Sequence, residues 1–170
     1  AMFDELYALN PREPRVLMGR AIIFQKTGEN ARAISTYEEL LAVNPNNAEA
    51  VINLAGLIRG DQPAVALGKL LDLRQKYPDN ATIVAQLAIS YADAGNLEDA
   101  LSYIDRAISM QPNNAQHYFN RAILSERAGK IPHAISFYEK ALEVDAIQGG
   151  ASGLPRDVIY DRLARLRVAQ

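Results

Sequence analysis

The 170-residue chain has no cysteine, no tryptophan and only two histidines, His117 and His133. Without cysteine it has no disulfide framework, no thiolate nucleophile and no zinc–thiolate site, and the redox compartment stays open. Charge of one sign is lacking too. Eighteen Lys and Arg against twenty Asp and Glu leave a net charge of −2, too weak a field to gather nucleic acid or an anionic membrane. No run of 18 apolar residues could insert into a bilayer, and no basic-then-apolar opening reads as a signal peptide. What is present is a core: 49% apolar residues beside 22% charged ones exclude a disordered tail.

Catalytic patterns are missing as well. Neither histidine has a carboxylate pair at metal-ligand spacing, and both are expected on the surface near helix starts. Gly68-Lys69 imitates the end of a phosphate loop, but Pro63 stands where the upstream glycine is required. Serines and aspartates lie on helical stretches without a nucleophile elbow. Glu38-Glu39 and Glu98-Asp99 read as solvated helix faces, and Asn80-Ala81-Thr82, a formal glycosylation sequon, reads as a helix cap. The sequence therefore implies no catalytic residue, no metal and no cofactor.

Self-similarity is the strongest signal. Pro11, Pro45, Pro78 and Pro112 recur at intervals of 34, 33 and 34 residues. Ala21, Ala55, Ala88 and Ala122 keep the same beat, and Ala33, Ala66, Ala100 and Ala134 follow them in phase. Between these ladders the apolar residues fall at helical spacing, giving two helices per unit. Gly28, Gly60, Gly95 and Gly129 are expected to close each first helix in the left-handed conformation that only glycine adopts without steric cost. Asn46-Asn47, Asp79-Asn80 and Asn113-Asn114 offer caps for the next unit. Alanine at both ladders lets facing helices approach closely where they cross.

The period and the order of Leu or aromatic, Ala, aromatic, Gly, Ala, aromatic, Pro resemble the tetratricopeptide repeat. The resemblance implies an all-α, right-handed solenoid of four helix-turn-helix repeats at 14–47, 48–80, 81–114 and 115–148. Residues 1–13 are then the second helix of a partial repeat, because "FDELYALNP" echoes "YEELLAVNP". Residues 149–170 form a loop and a capping helix, with Val158, Ile159, Leu163 and Leu166 covering the last repeat and four arginines supplying a polar back. Departures are local: the second turn is one residue short, and Arg20, Arg121 and Ala146 replace usual apolar or proline positions.

In this family the first helices line a concave surface, so the resemblance also implies a peptide-binding set. That set is Met18, Ile22, Ile52, Asn53, Arg59, Gln86, Ile89, Phe119, Asn120 and Ile123. Asn53, Gln86 and Asn120 stand in register, and an amide carries both donor and acceptor for a peptide bond. Phe119 is the largest of the set and the expected anchor. Met18 and Ile22 occupy positions where chaperone-binding members carry Lys and Asn, which argues against capture of an acidic C-terminal tail. The expected function is a non-enzymatic adaptor holding a protein or peptide partner, an apolar or amphipathic segment, in the groove. The alternatives are self-assembly as a homo-oligomer and service as the regulatory or substrate-presenting part of a larger enzyme. Cytoplasm and periplasm are both compatible.

Overall fold

Asparagine starts the helices much as the sequence foretells. Asn47 Oδ1 accepts the Ala50 N–H at 3.0 Å, Asn80 Oδ1 that of Ile83 at 3.2 Å, and Asn114 Oδ1 that of Gln116 at 3.1 Å. Asn96 does the same for Asp99 at 3.2 Å. Each bond satisfies a donor that the first helical turn leaves without an intrahelical partner. Pro14, Pro63 and Pro132 open three other helices, where their missing N–H is no loss.

The computed structural model describes residues 2–150 and 152–168, with backbone alone for residues 2–5. Among the described residues there are ten helices and no strand. They are α1 (Met2–Leu9), α2 (Pro14–Lys26), α3 (Asn30–Val43), α4 (Ala48–Ile58), α5 (Pro63–Lys76), α6 (Ala81–Asp93), α7 (Leu97–Met110), α8 (Ala115–Arg127), α9 (Ile131–Ile147) and α10 (Arg156–Val168). Gly68-Lys69 lies inside α5, which disposes of a phosphate loop. No helix among the described residues is long and apolar enough to cross a membrane.

The chain packs as two compact units that divide after Pro78. In the first, α2 pairs with α3 and α4 with α5; in the second, α6 pairs with α7 and α8 with α9. All eight ladder alanines are essentially sealed from solvent, as close helix crossings require. The second unit has two apolar clusters. One joins α6 and α7 around Val84, Ala88, Leu101 and Ile104. The other joins α8, α9 and α10 around Tyr118, Tyr138, Ile159 and Leu163.

Gly28, Gly95 and Gly129 take φ of 79°, 86° and 69°. At each, the next amide reaches back to close the helix: Glu29 N–H to the Phe24 carbonyl, Asn96 to Tyr91 and Lys130 to Ser125. Gly60 departs from the expectation and has no positive φ. Its turn is one residue shorter, and both the Asp61 and the Gln62 amides turn back onto the Ile58 carbonyl instead. The short connection is closed before a left-handed residue is needed.

Candidate peptide-binding faces

In the first unit, Met18 and Ile22 lie one turn apart on α2, and Ile52, Asn53 and Arg59 lie on α4 or at its C-terminal cap. All five are half-buried. Their helical neighbours Leu17, Ala21, Leu54 and Ala55 are the fully buried core, so the two helices present apolar side chains next to, but not inside, that core. Asn53 has a second task. Its Nδ2 donates to Tyr37 Oη at 3.1 Å, and the Tyr37 hydroxyl donates to Gln25 Oε1 at 2.9 Å. Burial raises the Tyr37 pKa, and the Asn53 bond partly opposes the rise. One amide of the expected ladder therefore ties α4 to α3 and, through it, to α2.

In the second unit, Gln86 and Ile89 lie on α6, and Asn120 and Ile123 on α8, and these two first helices touch directly. All four side chains are half-buried. Asn120 Oδ1 accepts from Gln116 Nε2 at 3.1 Å, and Ile123 packs against the α8–α10 cluster. Phe119 is the correction. Only 9% of it is exposed, and it sits in that cluster with its ring centroid 6.0 Å from that of Tyr138. The apolar cluster that α9 and α10 build over it leaves no open anchor.

The sequence also misplaced His117. Far from surface-exposed, it is buried, with Nε2 3.2 Å from Gln111 Oε1 and Nδ1 lacking a hydrogen-bond partner. Burial lowers its pKa. His133 is exposed as expected. Among the described residues, no group of three or more His, Asp or Glu is placed to hold a metal.

A second polar junction escaped the sequence. Tyr138 donates to Glu126 Oε2 at 2.8 Å, and Arg162 Nη1 reaches both Glu126 Oε2 at 2.7 Å and Tyr138 Oη at 3.3 Å. Burial and then the Glu126 carboxylate push the Tyr138 pKa up. The signal for it is the twelve-residue step from Gln25 to Tyr37, which recurs from Glu126 to Tyr138. The arginines of α10 are therefore more than a solvated back. Arg156 pairs with buried Asp145, whose pKa is lowered by the Ser152 hydroxyl and by Arg156 itself, and Arg167 pairs with Glu139 at 2.5 Å. Ile159 and Leu163 are buried as a cap requires, whereas Val158 faces solvent, contrary to expectation.

Comparison with known proteins places this architecture. The family described as the tetratricopeptide repeat matches residues 18–81 and 85–151, and the chain belongs to it. A tetratricopeptide-repeat-containing protein of Methanocaldococcus jannaschii is 24% identical over 84% of the chain. The chain spans only 27% of that relative, and 33% of a second curated relative. The crystal structure of a thermophilic tetratricopeptide-repeat protein of Thermus thermophilus matches with a TM-score of 0.80 at 21% identity, covering 98% of this chain and 87% of the other. The structure of PilW, a type IV pilus biogenesis factor, matches with a TM-score of 0.74 at 19% identity over 98% and 82%. These likenesses establish the all-α solenoid fold. Repeats of this family are typically non-catalytic modules of protein–protein interaction, and in that coarse sense the chain is an interaction scaffold.

Proposed function

We propose that the chain is a non-enzymatic adaptor whose first helices hold an apolar or amphipathic peptide segment. In the first unit the contacting side chains are Met18, Ile22, Ile52, Asn53 and Arg59; in the second they are Gln86, Ile89, Asn120 and Ile123. The observation that carries the reading is the half-burial of Met18, Ile22, Ile52, Ile89 and Ile123 at matching positions of successive first helices, none of them charged. Such side chains have apolar surface left to lose to a ligand. Gln86 and Asn120 add donors and acceptors for a peptide backbone. Phe119 supports this face from beneath.

Peptides selected by display against the folded chain provide the test. Amide chemical-shift changes on titration should concentrate in α2 and α4, or in α6 and α8. Ile52→Lys or Ile89→Lys should weaken binding about tenfold or more while melting temperature changes little, since a buried charge opposite an apolar ligand is costly. Shifts confined to α3, α5, α7 and α9 would contradict the reading.

A further inference from the structure

We propose that His117 is an acid-sensitive latch: protonation of its buried ring loosens α8 from the helices it packs on and releases what α8 holds. The loosening stands by itself; the release of a peptide from Asn120 and Ile123 rests on the function proposed above. The first observation is one of position. Val16, Ala50, Ile83 and His117 recur at intervals of 34, 33 and 34 residues, each five residues before its ladder alanine. All four side chains are buried, and the first three are aliphatic. Among the four repeats, only the last puts a titratable ring where the others put apolar packing, and that ring is 4% exposed.

A chain of hydrogen bonds fixes which ring nitrogen carries the proton. Asn114 Oδ1 accepts the Gln116 N–H at 3.1 Å, so its Nδ2 is the end that donates to Gln111 Oε1, at 3.2 Å. Gln111 thus turns its carbonyl oxygen toward His117 Nε2, 3.2 Å away, and a carbonyl oxygen only accepts. The neutral ring therefore holds its hydrogen on Nε2. A second proton can enter only at Nδ1, which is buried without a hydrogen-bond partner. Burying a charged N–H with no acceptor is costly. The helices packed on α8 offer no relief. Asp105 of α7 is taken by Arg121, Asp93 of α6 by Arg127 and Asp145 of α9 by Arg156. Every other charged side chain of these three helices is exposed, as is His133. Burial lowers the His117 pKa from 6.5, so the unfolded chain takes the proton first. Stability is full above 6.5 and is lost as pH falls from there toward the lowered folded value.

Amide hydrogen exchange of the intact chain between pH 7 and 5.5, corrected for intrinsic rates, tests this. Opening of the α8 amides should grow by up to about eightfold over that range. His117→Ile, which matches Ile83, should abolish the growth, whereas His133→Gln should keep it. Ring resonances of His117 should report the Nε2–H tautomer at pH 7 and protonate only below 6.5. A display-selected peptide free of histidine, bound at the second unit, should dissociate over the same range from the intact chain and not from His117→Ile. Four outcomes overturn the proposal: α8 exchange that stays flat, growth that survives in His117→Ile, a ring that protonates at or above 6.5, or a peptide held as tightly at pH 5.5 as at pH 7. Should His117→Ile fail to fold, the ring titration and the intact profile decide alone. If α8 opens in acid through His117 while no peptide engages it, the latch stands and the proposed function of the second unit falls.

Discussion

Two tyrosines do the same job with different chemistry. Tyr37, between α2, α3 and α4, donates to the amide of Gln25 and accepts from the amide of Asn53. Tyr138, between α8, α9 and α10, donates to the carboxylate of Glu126 and lies beside the guanidinium of Arg162. Both phenols are buried, and burial is the leading reason that both resist ionisation. The neutral junction links consecutive repeats, where the chain runs directly from one helix to the next. The charged one fastens α10, which arrives through the loop after α9. α10 is held by ion pairs as well as by apolar packing: Arg162 with Glu126, Arg156 with Asp145 and Arg167 with Glu139.

The sharpest way to break the comparison is at the aromatic floor of the charged junction. Phe119→Ala should destabilise the second unit by about 3 kcal/mol or more, as loss of a buried phenylalanine does. Thermal melting should show it, and binding by the fold would fall only with the folded fraction. A fully stable Phe119→Ala protein would return Phe119 to the ligand face.

Arg162→Met should cost about 1–2 kcal/mol, discounted for the partial exposure of the pair, because it leaves Glu126 without its cation. Asn53→Ala at the neutral junction should cost about 1 kcal/mol. Urea melts in low and high salt separate the two, since salt should reduce the Arg162 effect and leave that of Asn53 unchanged. Replacing Glu126 by Gln and Arg162 by Asn together would convert the second junction into the chemistry of the first. That double variant should be more stable than Arg162→Met and lose its salt dependence.

Acid should act next. Asp145 has a folded pKa below its ordinary 3.8, so its contribution is present above that value and is lost as pH falls through the lowered one. Hydrogen exchange of α10 amides should therefore accelerate in strong acid before that of α6 does. In Asp145→Asn the acceleration should already be present at neutral pH.

The smallest effects concern the turns. Gly60→Ala should be neutral or stabilising by about 0.5 kcal/mol, since its φ is ordinary and the added carbon meets open space. Gly95→Ala should cost about 1 kcal/mol because its φ of 86° strains any side chain. Melting temperatures of the two variants should move in opposite directions, or only the second should move.

The periodic part of this molecule was readable from residues alone. The alanine ladders, the asparagine caps and three of the four glycine turns repeat, so each position carries the information of four. The burial of Phe119 and His117 was not readable in that way. Phe119 is enclosed partly by Ile159 and Leu163 of α10, a helix that follows the fourth repeat and stands outside the alanine ladders. His117 owes its surroundings partly to Gln111 in the preceding loop. The arginines of α10 looked like a solvated back because their partners lie 11, 28 and 36 residues away. Helical spacing is silent about contacts at that range.

The short turn at Gly60 has a consequence for how such a chain changes length. Losing one residue there removed a left-handed glycine and its reach-back bond, yet Ala66 is as fully sealed as Ala33, Ala100 and Ala134. The buried face is back in register by Ala66, because the rotation of α5 follows its packing on α4. The missing residue of this connector is thus a local misprint, corrected where α5 crosses α4.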